Sequence, residues 1–369
     1  MIVEPDPSAV LAWADAHAEK LATADHLPDE LVELSLAGGL YRMYLVPELG
    51  GLGTPLTTTS TVIEQLSYVD GSLGWCTTVA NGAAGLLAGL PEPDARLVAA
   101  DPEHLSIAGG FAPVGRTVLD GTDRLLTGRW GFASGCTSAT WFLGGAMLDE
   151  GPRVGFFPVA DGHVVDDWDV IGLRATGSHT VTATDVRIPA TSWTELFDRS
   201  RPSWSTDPTA RIPFGANGLL AIVPLGIARR ALDELAELAL TRKPFGQQQR
   251  LADDPAFQLP FGIALARLES AHRYLLDMQH AVWTEAEDGA VAPATEARVN
   301  LASGHAADTA VEVVQFAHKA AGTTAIRGDT VLTRCLHDAM VATRHVAFGQ
   351  PMRARAAQPL LSGRASLPG

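Results

Sequence analysis

The spacing of apolar residues changes period twice along this chain, and that succession limits the architectures open to it. From residue 8 to about 100 the pattern is helical: Leu31, Leu34 and Leu36 run into a stop at Gly38 and Gly39, and Val62, Leu66 and Val69 recur at three to four residues. Between about 105 and 190 the period falls to two, with short Val, Phe and Thr runs broken by turn signals such as Asp120-Gly121. A polar, Pro-bearing linker (DRSRPSWSTDPTARIP) follows. Helical spacing then returns in Ile227, Ala231, Leu235 and Leu238, in Phe257, Phe261, Leu265, Leu268, Leu275 and Met278, and in Leu332, Leu336, Ala339, Ala342 and Val346. The expected architecture is a helical unit over residues 1–104, a β unit over 105–200 and a bundle of four long helices over 201–369.

Composition sorts the function classes. With 46% hydrophobic and 19% charged residues, 369 residues bury a large core. A net charge of −15 disfavours nucleic acid and anionic membrane surfaces, which need clustered Lys and Arg. No apolar stretch is long enough to span a bilayer, and the N-terminus lacks the basic and apolar regions of an export signal. Cys76, Cys136 and Cys335 are far apart and odd in number, which argues against a disulfide framework or a zinc site and fits free thiols in a cytoplasmic protein. No G-x-G-x-x-G follows a strand, so a nicotinamide dinucleotide is not expected to bind through a Rossmann unit.

Four segments carry chemistry: VIEQLSYVDGSLGWC (62–76), GRWGFASGC (128–136), WDVIGLRATGSHTV (168–181) and LTRKPFGQ (240–247). The second ends a strand in a small-residue turn, where backbone N–H groups and one hydroxyl can approach a planar ligand. Together they resemble the acyl-CoA dehydrogenase superfamily, and the pairing of DGSxGWC with GxWxFASGC resembles its two-component monooxygenases, which take reduced flavin from a separate reductase. The resemblance implies an N-terminal α-helical domain, a middle β-barrel or sandwich domain and a C-terminal four-helix bundle. It also implies a homotetramer or homodimer.

By that resemblance Ser134 meets the flavin near N5, and a turn at Gly109, Gly110 and Phe111 covers the ring. Arg242 and Phe245, often reaching a neighbouring subunit, serve flavin phosphate and ring. An Arg at a helix C-terminus is also favourable electrostatically without any ligand. The dehydrogenases' Gly-Gly cradle for the dinucleotide reads Gly322-Thr323 here, which favours reduced FMN or loosely held reduced flavin over tightly bound FAD.

A dehydrogenase needs a carboxylate to remove the proton alpha to a thioester. Aligned with the family, the two positions used for it fall on Val346 and near Ala216. His345 instead matches the His of the monooxygenases. Beside a flavin C4a-hydroperoxide, imidazole can hydrogen-bond the reagent and accept a proton from the substrate. Alone, it also reads as a surface or intersubunit His.

His337 and Asp338 lie on the same helix. Asp338, two turns before His345, reads as a surface charge or salt-bridge partner, with an orienting role toward His345 as the alternative. Where many relatives have a second His after the ASGC turn, this chain has Ser138, which leaves the substrate type open. The expected reaction is oxygenation of a small aromatic or heteroatom-bearing molecule. A dehydrogenase-like enzyme with a displaced base and a non-catalytic family member are the alternatives.

Overall fold

The structure is a computed structural model that describes residues 4–196, 203–327 and 330–362. The N-terminal unit is helical: α1 (Ser8–Ala16), α2 (Ala18–Thr23), α3 (Asp29–Ala37), α4 (Leu56–Val69), α5 (Gly71–Gly85) and α6 (Glu92–Val98). The carboxylate of Asp70 starts α5 by accepting the N–H groups of Ser72 and Leu73 at 2.9 and 3.1 Å. The small residues of GSLG let α5 press against its neighbours. A Cβ on Gly74 would stand 1.9 Å from the Ser67 hydroxyl of α4.

The middle unit forms a seven-stranded sheet: β1 (Ile107–Asp120), β2 (Asp123–Trp130), β3 (Trp141–Leu148), β4 (Gly151–Pro158), β5 (His163–Val165), β6 (Thr180–Pro189) and β7 (Trp193–Thr194). Its order is β5-β6-β2-β1-β3-β4-β7. The first half of β1 runs parallel to β3 and the second half antiparallel to β2, with an irregularity between Gly110 and Gly115 where the strand passes from one partner to the other. Gly109 and Phe111 therefore lie in a strand, not in the expected turn: Gly109 is paired with β3, and Phe111 falls in the irregular stretch of β1 where the strand changes partners.

The sheet closes around Trp130, which is buried and donates its indole N–H to the Gly145 carbonyl at 2.9 Å. Three nearby strand glycines follow from that ring. A Cβ on Gly110 would stand 2.7 Å from it, one on Gly128 2.4 Å and one on Gly144 3.1 Å.

The last unit comprises α7 (Pro208–Arg211), α8 (Ile222–Thr241), α9 (Pro255–Glu287), α10 (Pro293–Ala321), α11 (Val331–Ala342) and α12 (Gln350–Leu361). Asp254 caps α9 through the Ala256 N–H, and Thr330 caps α11 through that of Thr333. The bundle is built round α10, which packs on α8, α9, α11 and α12, while α4 lies along α8. Ile63 and Leu66 thus share one core with Ile227, Leu235, Leu268 and Val314, so the first and last units bury their apolar faces together. The beginning of the predicted linker lies outside the described residues. Among those described, no helix is long and apolar enough to cross a membrane, and all three cysteines are buried free thiols.

One loop docks the sheet onto the helices. Gly172 lies against the backbone of His337, leaving 2.5 Å or less between its would-be Cβ and the His337 carbonyl group. Leu173, held at φ +52°, donates its N–H to Asp338 Oδ1 at 2.6 Å. Asp338 is therefore not the surface charge expected from the helical pattern. It is half-buried on the floor of a cleft of about 630 Å3 that it shares with Asp70, Arg174, Arg334 and His337. Surrounding protein and the neighbouring Asp70 push its carboxyl up to about 7, against the hydrogen bond from Leu173 and the charge of Arg334.

Two outcomes follow for stability. Gly128→Ala should lower the apparent Tm, at a cost of about 1–3 kcal/mol, because a methyl group overlaps a ring with nowhere to move. Gly262→Ala, on the open face of α9 where nothing lies within 4 Å, should raise stability by about 0.5–1 kcal/mol; thermal unfolding monitored by circular dichroism compares them. A carboxyl whose pKa is raised by folding stabilises below its unfolded value of 3.8 and loses that contribution as pH climbs to about 7. Asp338→Asn, which still accepts the Leu173 N–H, should therefore flatten the fall in apparent Tm across that window.

Candidate active site

The end of β2 turns sharply after Trp130. Phe132 takes a left-handed φ of +60° and Gly135 one of +76°, while Ala133 and Gly135 give their N–H groups to the carbonyls of His179 and Thr176 at 3.1 and 2.8 Å. The turn sinks Ser134 to 8% exposure and pushes the Phe132 ring to 79%. Phe132 meets Trp168 edge to face at 6.1 Å between centroids. Ser138 closes the turn by donating its N–H to the Gly135 carbonyl at 3.2 Å.

Trp75 approaches from α5. It is the one large aromatic in a helix made otherwise of small and mid-sized residues, and its Nε1–H donates to Ser134 Oγ at 3.0 Å. The same indole meets His345 edge to face, 5.6 Å away between ring centroids and at 69°. The structure thus joins the two predicted catalytic residues through Trp75, a member of the DGSxGWC motif to which the sequence alone gives no role.

His345 follows the end of α11 and starts the short turn Val346–Phe348, where its Nδ1 accepts the Ala347 N–H at 3.2 Å. The neutral ring consequently carries its own proton on Nε2 and offers a donor. Burial holds its pKa below the ordinary 6.5, so this neutral form prevails at physiological pH. Proton acceptance, expected from the sequence as a second duty, would require Nδ1 to give up the Ala347 bond. Asp338 does not orient this ring: its recorded hydrogen bond goes to Leu173.

Behind Ser134 runs a line of hydroxyls. Ser134 Oγ lies 2.8 Å from Ser178 Oγ, Ser178 Oγ lies 2.6 Å from Thr176 Oγ1, and Thr176 Oγ1 donates to the Leu173 carbonyl at 2.8 Å. Ser178 and Thr176 were hidden in the sequence because Ser and Thr are common turn residues and nothing in their spacing reports contact with a turn 40 residues earlier.

The other predicted residues form two groups. Arg242 follows the end of α8 and donates to the Ala321 carbonyl at the end of α10, with its guanidinium 3.0 Å from a would-be Cβ on Gly322, so the structure brings these two positions together. Phe245, in the same loop, is wholly exposed. Phe111 packs on Phe214 at 5.0 Å. Val346 is 73% exposed and Ala216 is in the core, so neither dehydrogenase position supplies a carboxylate. The lining of the 630 Å3 cleft includes none of Ser134, Trp75 and His345.

An exposed Phe132–Trp168 ring pair beside a sunken hydroxyl, backed by Trp75 and His345, suits a planar heteroaromatic ring with one polar edge. The residues present therefore fit an isoalloxazine.

Known proteins agree. The family models "Acyl-CoA dehydrogenase, N-terminal domain" and "Acyl-CoA dehydrogenase, C-terminal domain" match residues 11–92 and 219–350. The chain is 31% identical over 353 residues to indole-3-acetate monooxygenase of Pseudomonas putida, covering 93% of this chain and 89% of that protein. It is 26% identical over 374 residues to the flavin-dependent monooxygenase, oxygenase subunit HsaA, of Mycobacterium tuberculosis, covering 96% and 95%. Among solved structures, 3-HSA hydroxylase from Rhodococcus sp. RHA1 superposes with a TM-score of 0.88 at 22% identity, over 98% of this chain and 96% of that one. The chain belongs to the acyl-CoA dehydrogenase superfamily, in its branch of two-component flavin-dependent monooxygenases.

Proposed function

We propose that this protein is the oxygenase component of a two-component system, taking reduced FMN or FAD from a separate reductase and using O2 to oxygenate a small aromatic or heteroatom-bearing substrate. The observation that carries this reading is the joining of Ser134 to His345 through Trp75, with no carboxylate at either dehydrogenase position. When bound and reduced, the flavin supplies the electrons that activate dioxygen.

The chain's own residues do the rest. Ser134 meets the polar edge of the ring at N5, and Phe132 with Trp168 covers it, with Gly109 and Phe111 as the backing strand. Arg242 and Gly322 form the phosphate end, and the exposed Phe245 reaches a neighbouring subunit of a homotetramer or homodimer in the cytoplasm. Neutral His345 presents Nε2–H toward the reacting oxygen and, with Trp75, keeps the pocket dry. The dehydrogenase-like alternative lacks support from the carboxylates: Asp338, the one pushed up to about 7, is turned to the Leu173 N–H.

Mixing the anaerobic complex of protein and reduced flavin with O2 should give a transient absorbance near ~380 nm, and 18O2 should label the product. Absence of the transient overturns the reading, and bleaching of oxidised flavin by an acyl-CoA would favour a dehydrogenase.

His345→Ala should slow oxygenation by about 100-fold and divert electrons to hydrogen peroxide, with flavin affinity unchanged. In the wild type, product formed per flavin oxidised should be constant above the ordinary His pKa of 6.5 and decline only on the acid side, where Nδ1 protonates and the Ala347 bond is lost. A peroxide assay across pH reads both effects; an unchanged yield in His345→Ala removes this residue from the mechanism.

A further inference from the structure

We infer that Ser178 and Thr176, through the hydroxyl line behind Ser134, make this serine a hydrogen-bond acceptor toward the flavin, and that these two residues thereby set the preference for flavin carrying a hydrogen on N5, the reduced form, that the proposed function requires. The inference rests on the placement of N5 at Ser134 proposed above.

The direction of the line follows from counting protons. A hydroxyl has one hydrogen to give and two lone pairs. Thr176 gives its hydrogen to the Leu173 carbonyl, so the 2.6 Å contact between Thr176 and Ser178 must be filled by the hydrogen of Ser178. The 2.8 Å contact between Ser178 and Ser134 must then be filled by the hydrogen of Ser134. At the near end Trp75 can only donate, and it occupies one lone pair of Ser134. The chain reads Trp75 N–H to Ser134, Ser134 to Ser178, Ser178 to Thr176, and Thr176 to the Leu173 carbonyl.

Ser134 is left with a single open valence, a lone pair. Reduced flavin bears a hydrogen on N5 and satisfies it. Oxidised flavin bears a lone pair there and meets another. To donate to oxidised flavin, all three hydroxyls must turn round, and Thr176 then loses its bond to the Leu173 carbonyl. The site disfavours the oxidised form by about three- to tenfold, the equilibrium weight of one hydrogen bond. Ser178 and Thr176 are positioning residues here: they act through Ser134. The selection suits an enzyme that receives its flavin reduced and must release it oxidised.

The test measures dissociation constants for reduced and oxidised flavin, the former anaerobically, together with the reduction potential of bound flavin. Ser178→Ala frees the Ser134 hydrogen, and Thr176→Val leaves the Ser178 hydrogen only Ser134 to bind. Ser178→Ala should tighten oxidised flavin by about three- to tenfold and leave reduced flavin unchanged, whereas Thr176→Val, which fills both Ser134 lone pairs, should tighten oxidised and weaken reduced flavin; both move the bound potential negative, by about 30 mV per tenfold change in the ratio. Thr176→Ser, which keeps both donor and acceptor, should restore the wild-type ratio. If Ser134→Ala alters affinity for neither redox form, N5 is not at Ser134 and the placement under Proposed function fails with the inference. If Ser134→Ala does alter affinity while Ser178→Ala and Thr176→Val weaken both forms equally or leave the ratio unchanged, the inference alone is overturned.

Discussion

The indole N–H of Trp75 crosses from the helical unit to the sheet, and most of the site's geometry depends on it. A buried donor without a partner would cost about 1–3 kcal/mol, so the 3.0 Å bond to Ser134 fixes the turn after β2 against α5 as well as orienting the ring. That ring also meets His345 edge to face. Three units far apart in sequence are thereby registered on one side chain. Asp70 matters for the same reason: by starting α5 five residues earlier, it sets where along the helix Trp75 points.

Much of this fold is legible in the sequence because its periods are long and its stops are strong. The four named motifs identified the family without any structure, and the missing carboxylates at Val346 and Ala216 identified the branch. What escaped was contact between distant segments. Helical spacing places Asp338 on a surface, yet the 171–175 loop returns from the sheet and covers it. Gly109 and Phe111 read as a turn by the resemblance alone; the need to clear the Trp130 side chain gives at least Gly110 a different reason to be glycine. Trp75 was visible as a large residue in a small-residue helix, but no spacing rule pairs it with Ser134.

The site divides its work between rigid and open parts. Trp75, Ser134, Ser178 and Thr176 are buried and mutually hydrogen-bonded, which suits the polar edge of a cofactor that must be held in one register. Phe132 and Phe245 are exposed rings at the site's open edge. The first faces the proposed flavin site, and the second lies at the end of α8.

Leu173 joins two parts of the molecule that otherwise look unrelated. Its carbonyl takes the last hydrogen of the hydroxyl line and its amide is held by Asp338 on the cleft floor, all within one strained residue at φ +52°. A half-buried carboxyl of the cleft and the hydroxyl line behind Ser134 therefore meet at a single amino acid. Through it, a change in the protonation of the cleft has a physical route to Ser134.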